Sequence, residues 1–141
     1  MPKKTPLYDQ HVKQNALIVD FAGWQMPLHY GSQIQEHHAV RNGCGIFDVS
    51  HMGVVDIDGK EAIAFLRYLL ANDVAKLTST GKSLYSCLLN EKGQVLDDLI
   101  VYKFSATHYR IISNAGTREK DLNWFITHAK KFNVQVQRKD D

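Results

Sequence analysis

Residues 83–104 of the chain, SLYSCLLNEKGQVLDDLIVYKF, decide its fold class. Two runs rich in aliphatic and aromatic residues flank the turn-like NEKG at 90–93, and this pattern predicts a β-hairpin. The second run carries two adjacent acids, Asp97 and Asp98, in its middle. Aspartate is depleted in strands, and an unpaired carboxylate that faces a core is costly. The acidic pair therefore needs an explanation beyond the hairpin itself.

The two acids point to opposite faces of the predicted strand, because successive strand side chains alternate. Asp97 and Asp98 therefore cannot form a dyad that shares one proton. One interpretation places an acid in a ligand site on one face of the sheet. The other interpretation is that both acids face water close to the sheet edge, where charged residues are common.

The turn length sets which residues of the hairpin lie together. If residues 90–93 form a four-residue loop, Tyr85 lies opposite Asp98. One face then carries Tyr85, Asp98, Ile100 and Tyr102, and such a face suits a flat heteroaromatic ligand with exchangeable protons. A three-residue loop with a bulge at Gly93 would shift the pairing by one residue.

Helical and extended patterns alternate through the rest of the chain. Ser32 and Thr117 are typical N-cap residues, and apolar spacing of three and four residues follows in several segments. We predict helices over 5–14, 32–43, 59–73 and 117–132, and extended segments over 16–30, 44–59, 109–114 and 134–141. This order predicts an α+β fold, an antiparallel sheet with flanking helices.

The last extended segment, VQVQRKDD, needs a neighbouring strand. Either it pairs backwards within the chain, or the chain is the front part of something longer. We favour the second interpretation, since no turn or partner element follows the segment.

Composition and charge exclude two classes of partner. The chain has 141 residues, 44% of them hydrophobic, and a formal net charge of +2. Its Lys and Arg residues are spread out, whereas nucleic-acid binding requires a basic stripe. No apolar run approaches the roughly 18 residues needed to cross a bilayer, and MPKKTPLYDQ is no secretory signal. We expect no nucleic acid, no membrane and, from the isolated Cys44 and Cys87, a cytoplasmic location.

Other reactive side chains support no competing site. His37 and His38 diverge by about 100° on a helix, so they cannot easily share a metal ion with His51. The Asp, Ser and His of DVSHM lie too close together on one strand to build a catalytic triad. Cys87 alternates with strand neighbours and is expected in the core.

Several segments of the chain, in the same order, resemble one known family. They are FAGWQMPLHYGSQIQEHHAVR, GIFDVSHMG, LANDV, LYSCLLNEKGQVLDDLIVY and NAGTREKDLNWF. Together they closely resemble the amino-terminal part of the aminomethyltransferases, the T-proteins of the glycine cleavage system. Members of that family run several hundred residues. The resemblance therefore implies that residues 1–141 are the incomplete front portion of a multi-domain folate-binding enzyme, with the later domains absent from this chain.

The resemblance also implies a reaction and its partners. T-protein transfers the aminomethyl carbon from the lipoyl arm of H-protein to tetrahydrofolate, and it releases ammonia and methylene-tetrahydrofolate. Because the residues that complete the folate cavity lie further along the family sequence, this piece alone is expected to be inactive and to self-associate through exposed apolar surface. The alternatives are a flavin-linked relative on the same fold, or a non-catalytic folate-binding or iron–sulfur-maintenance module.

The family motifs imply a set of site residues in this chain. The second acid of the DD pair, Asp98, is expected to contact the folate nitrogen that bridges to the benzoyl ring, and to be the catalytic residue. The other matched positions, expected to bind folate, are Met52, Tyr85, Ile100, Tyr102 and Asn114. The pKa of a free aspartate is about 3.9, so a positioning role is simpler than a general-base role.

Overall fold

The computed structural model describes residues 2–139. The chain divides between His51 and Met52 into two compact units. The first unit contains β1 (Lys3–Lys4), α1 (Tyr8–Lys13), β2 (Leu17–Phe21), β3 (Trp24–His29) and α2 (Gln33–Asn42). The second contains β4 (Gly53–Asp58), α3 (Ala62–Leu69), a 3₁₀ turn (Val74–Lys76), β5 (Ser83–Leu89), β6 (Val95–Lys103), β7 (His108–Ser113), α4 (Arg118–Ala129) and β8 (Gln135–Arg138).

The first unit is built on a three-stranded sheet in the order β1-β3-β2. Strands β2 and β3 pair antiparallel, and the tight turn between them is possible because Ala22 and Gly23 both have positive φ angles. This confirms the predicted extended segments around a bend. The predicted limits of α2 are also confirmed: the Ser32 hydroxyl accepts a hydrogen bond from the Gln35 amide, and Gly43 is the C-cap.

A hydrogen-bonded cluster of three side chains ties the first unit together. His11 Nε2 lies 2.7 Å from Asp48 Oδ2, and the Tyr30 hydroxyl lies 2.6 Å from His11 Nδ1. Burial alone would raise the pKa of Asp48, but hydrogen bonds from His11 and the Ser50 backbone outweigh it and hold that pKa well below its usual value. The cluster thus joins α1 to the end of β3 and to the segment before His51.

The prediction of one long extended segment over 44–59 is wrong in its first half. Residues 44–52 are irregular, and strand β4 begins only at Gly53. The Asp48 side chain accepts a hydrogen bond from the Ser50 amide at 2.9 Å. Such a local bond offers the backbone an alternative to a strand ladder, and it competes with the alternating pattern that predicted the strand.

The second unit is a five-stranded antiparallel sheet in the order β5-β6-β7-β4-β8. The hairpin of β5 and β6, the strand β7 and the helices α3 and α4 all appear where the sequence predicts them. Helices and antiparallel strands thus occur together, and the predicted α+β class is confirmed.

The last extended segment pairs backwards within the chain, which is the interpretation that was not favoured, and this pairing does not contradict the view that the chain is the front part of something longer. Strand β8 runs back antiparallel along β4, with Val55 opposite Arg138 and Ile57 opposite Val136. The sequence pattern could not reveal this pairing, because β4 lies about 80 residues earlier and its free edge exists only once the sheet has formed.

The core of the second unit lies between one face of the sheet and the two helices. Helix α3 buries Phe65, Leu66 and Leu69, as its apolar spacing predicts. These side chains pack with buried residues of α4 and of the strands β4, β5, β6 and β7, among them Val55, Ile57, Leu88, Leu99, Val101, Tyr109, Ile111 and Phe125. The opposite face of the sheet carries the candidate site.

Gly59, which directly follows β4, is the glycine of the second unit that lies closest to another stretch of backbone. Its φ angle is +151°, and a Cβ there would come within 2.7 Å of Val134 Cα and against the Asn133 carbonyl. We therefore expect Gly59→Ala to lower the free energy of unfolding by about 2 kcal/mol or more, measured by urea denaturation.

Gly93→Ala is the matched control for Gly59→Ala. Gly93 also has a positive φ, +75°, but a Cβ added there would have no neighbouring atom within 4 Å. Only backbone strain should therefore destabilise this variant, and it should lower the free energy of unfolding by about 1 kcal/mol. Equal costs for the two variants would show that the contact with residues 133 and 134 is unimportant.

Candidate functional site

The register of the hairpin differs from the predicted one by two residues. Tyr85 pairs with Ile100, and Cys87 rather than Tyr85 lies opposite Asp98. One residue of the difference arises because Leu89 pairs with Val95, so that the loop has five residues, and the other arises from a register shift between Leu88 and Leu89. Because side chains alternate with a period of two, a shift of two residues leaves Tyr85, Asp98 and Ile100 on the predicted common face.

Tyr85 and Asp98 are in direct contact across the two strands. The Tyr85 hydroxyl donates a hydrogen bond of 2.6 Å to Asp98 Oδ2. This hydrogen bond is the main cause that raises the pKa of Tyr85 above its usual value. The phenol therefore stays protonated at neutral pH and acts as a donor to the carboxylate.

Asn114, which directly follows β7, bridges the two acids of the DD pair. Its side-chain nitrogen lies 2.9 Å from Asp97 Oδ1 and 3.2 Å from Asp98 Oδ1, and it also contacts the Asp98 carbonyl at 3.1 Å. Both N–H groups of an amide are used by these acceptors. The side-chain nitrogen of Asn114 thus holds the acids in place, and the side-chain carbonyl oxygen of Asn114 is the atom left for a ligand.

The Asp98 carboxylate is consequently held from two sides. One oxygen accepts from Tyr85 and the other from Asn114. Each carboxylate oxygen has about two acceptor positions, so Asp98 can still accept a hydrogen bond from a ligand. Sequence and structure agree in placing these three residues together.

The remaining predicted residues lie around this group at different distances. Ile100 is paired with Tyr85 on the same face. Met52 directly precedes Gly53, which pairs with Ser113, so it lies at the Asn114 end of the sheet. Tyr102 is four residues beyond Asp98, roughly 13 Å along the strand, where it pairs with Arg110. Tyr102 therefore belongs to the far end of the face.

Sequence reasoning missed two features of this face. Cys87, expected in the core, is half-buried and lies opposite Asp98, because the actual register brings it there. Arg110 lies beside Tyr102 and donates two hydrogen bonds, of 2.7 and 2.9 Å, to Asp56. Cys87 is two residues from Tyr85, so alternation alone places it on this face. Its pairing with Asp98 depends on the hairpin register, and the pairing of Arg110 with Tyr102 depends on strand order.

Asp97 points to the other side of the sheet and is also fully engaged. Burial raises its pKa, but hydrogen bonds from Asp121, Thr117 and Asn114 outweigh burial and lower the pKa to about 2. Thr117 occupies the predicted N-cap position of α4, yet its hydroxyl makes no capping bond and donates to Asp97 Oδ2. The interpretation that both acids simply face water is therefore wrong.

The site is an open surface. The Tyr85 side chain is 58% exposed, while cavities of about 290 Å³ lie elsewhere, one in the first unit beside Tyr30 and Phe47 and one beside Tyr68 and Trp124. Within residues 2–139, no three His, Cys, Asp or Glu side chains are placed to hold a metal ion. Over the same residues, no helix is long and apolar enough to span a bilayer.

Comparison with known proteins gives a family match and a structural match for the chain. The model of the GCVT N-terminal domain family matches residues 7–141. A solved structure, the glycine cleavage system aminomethyltransferase T from Bartonella henselae, is 36% identical in sequence and superposes with a TM-score of 0.88. The match covers 99% of this chain and 39% of that one. The chain thus spans about two fifths of the length of the relative it matches.

Proposed function

The chain belongs to the GCVT N-terminal domain family, and from this premise we propose that it forms the front part of a tetrahydrofolate-dependent aminomethyltransferase of glycine cleavage. It has the fold of the amino-terminal part of a glycine cleavage aminomethyltransferase. The observation that carries the proposal is the Asp98 carboxylate, held by Tyr85 and Asn114 on an open face.

The residues of this face fit a reduced folate. A pterin is flat and carries several N–H groups, so it needs apolar or aromatic surface together with hydrogen-bond acceptors. Ile100 and the exposed ring of Tyr85 offer that apolar surface. The Asp98 carboxylate and the side-chain carbonyl of Asn114 offer the hydrogen-bond acceptors. Tetrahydrofolate would supply the nucleophilic nitrogen that receives the one-carbon unit.

Asp98 is the residue that we propose to be catalytic. Its carboxylate would accept a hydrogen bond from the folate nitrogen and so align that nitrogen with the carbon to be transferred. The same negative charge would stabilise the positive charge that develops on this carbon as ammonia leaves. Alignment of two reactants can supply several kcal/mol of barrier reduction.

Tyr85 and Asn114 would fix Asp98 in place during this step. Together they direct both carboxylate oxygens before the ligand arrives, so little reorganisation is needed when the charge develops. Tyr85 would also keep its proton, since its raised pKa prevents it from acting as a base at neutral pH. Met52 and Tyr102 are proposed to contact the folate at the two ends of the face.

The proposed donor of the one-carbon unit is the lipoyl arm of H-protein. A lipoyl arm can reach a site on an open face more easily than a site in a buried pocket, and the exposed Tyr85 lies on such a face. We place the reaction in the cytoplasm, where the two free cysteines, Cys44 and Cys87, would stay reduced.

The chain alone is expected to be catalytically silent. The Tyr85 side chain is 58% exposed, so the part of the face around it is open to solvent. Titration of tetrahydrofolate into the 141-residue chain by calorimetry should show binding weaker than micromolar and no turnover. Ile46, 96% exposed, and Phe47, 70% exposed, offer apolar surface for self-association, which light scattering on the same sample would detect. Micromolar binding together with activity would contradict this prediction.

The proposed function is tested with the complete protein that carries this chain. Aminomethylated H-protein and tetrahydrofolate are supplied, and the release of ammonia and methylene-tetrahydrofolate is measured. Stoichiometric release of both products supports the proposal. Folate binding without product release would instead support the non-catalytic folate-binding module.

A further inference from the structure

Asp121, in the first turn of α4, is a fully buried carboxyl group. Its exposed fraction is 0%, and neither of its oxygens has a donor in good hydrogen-bond geometry in the described part of the chain. The Thr117 hydroxyl, which donates to Asp97, has the smallest of the effects that act on the pKa of Asp121. A neighbouring cation is Lys120, whose Nζ lies 3.7 Å from Asp121 Oδ1, and Lys120 already donates to the Leu96 carbonyl at 2.6 Å. An ionised carboxylate in this position would be left almost without compensation.

The Asp97 carboxyl group faces Asp121 within hydrogen-bonding contact. Asp97 already accepts from Asn114 at Oδ1 and from Thr117 at Oδ2. Both of its oxygens thus act as acceptors, which suits an ionised Asp97. Two carboxylates in contact inside a protein cannot both be charged without a large penalty, so one of them must carry a proton.

The environments of the two acids decide which one is protonated. Burial and the contact with Asp97 raise the pKa of Asp121 to about 7, whereas donors lower the pKa of Asp97 to about 2. The charged groups that act on Asp121 are Asp97 from β6 and Lys120 from its own helix, and Lys120 only partly offsets the other effects.

We propose that Asp121 is a neutral carboxylic acid that donates its proton to Asp97, and that this buried pair positions the Asp98 carboxylate through Asn114. The chain of contacts is continuous: Asp121 contacts Asp97, Asp97 accepts from Asn114, and Asn114 contacts Asp98. The second half of the proposal rests on the proposed function of Asp98. Asp97 and Asp121 are thus positioning residues, since neither lies on the face where the ligand binds.

A neutral Asp121 makes stability depend on pH in a defined direction. The folded chain keeps this proton up to about pH 7, while the unfolded chain releases it near its ordinary value of 3.8. Between these values the folded state binds more protons, so stability falls as pH rises. Below pH 3.8 both states hold the proton and no stability is lost, and above pH 7 the loss is complete.

Asp121→Asn tests the neutral state in the 141-residue chain. The amide keeps the shape and can donate to Asp97, but it cannot ionise. The melting temperature of Asp121→Asn minus that of the wild type should be near zero at about pH 4 and should rise by several degrees at about pH 8. At about pH 5.5, between the ordinary aspartate pKa of 3.8 and the pKa of about 7 for Asp121, infrared spectra should show a protonated carboxyl stretch. Asp121→Asn should remove this band. A difference independent of pH, or no such band, would overturn the proposal.

The role of Asp121 in positioning Asp98 is tested in the complete protein by comparing two substitutions of similar size. Asp121→Asn should keep turnover, whereas Asp121→Leu, which lacks the donor, should lower kcat several-fold with little change in KM for folate. If Asp121→Leu does not fold, Asp97→Asn, which weakens the same network, takes its place with the same expected split. Wild-type kcat in a folded Asp121→Leu variant, or in Asp97→Asn where it takes its place, would overturn the positioning role while the proposed function stands. Failure of the proposed function would show separately, as an unchanged kcat in Asp98→Asn.

Discussion

Asp98→Asn in the complete protein is expected to lower turnover by on the order of 10²-fold or more, while the affinity for tetrahydrofolate changes by less than about tenfold. The amide keeps the shape of the side chain and can still be reached by Tyr85 and Asn114. It lacks the negative charge that stabilises the developing positive charge. Single-turnover kinetics with aminomethylated H-protein, together with folate titration, separates the two effects.

Asp58→Asn is the control for Asp98→Asn. Asp58 lies on the same face of the sheet but at the far end of β4, where it contacts His108. Removal of this carboxylate should leave turnover close to the wild-type value. Equal losses of turnover and affinity in Asp98→Asn would mean that Asp98 only binds folate, and no loss of either would remove it from the site.

Phe65→Ala is expected to have the largest effect on stability, about 3–5 kcal/mol. The Phe65 ring is fully buried and packs edge-on against Phe132, with ring centroids 5.5 Å apart. Its removal loses buried apolar area and leaves a cavity between α3 and the sheet. A domain of this size is stabilised by only about 5–15 kcal/mol, so urea denaturation should show a large fall in the midpoint with an unchanged slope.

Phe104→Ala makes the same chemical change at the surface of the second unit. Phe104 is 49% exposed. The guanidinium carbon of Arg110 lies over its ring, 5.3 Å from the centroid of the Phe104 ring. Its loss should cost about 1 kcal/mol or less. A similar cost for the two variants would show that Phe65 does not lie in the core.

Much of the secondary structure could be predicted because its signals are local. The apolar spacing of α3, the Ser32 cap of α2 and the two runs around residues 90–93 each depend on neighbours within a few positions. The strand predicted over residues 44–52 failed because the Asp48 side chain bonds locally to the Ser50 amide and also bonds to His11, 37 residues earlier. A distant partner of this kind leaves no mark on local alternation.

Alternation along β6 was enough to predict that Asp98 and Ile100 share one face and that Asp97 lies on the other, because the side chains of one strand alternate with a period of two, whatever the register. Tyr85 joins that face because the actual hairpin register differs from the predicted one by an even number of residues. The folded structure was needed to show that Cys87 lies opposite Asp98, that β8 pairs with β4, and that the buried Asp121 contacts Asp97. Those contacts depend on register, strand order and helix placement, which arise when segments far apart in the chain pack together.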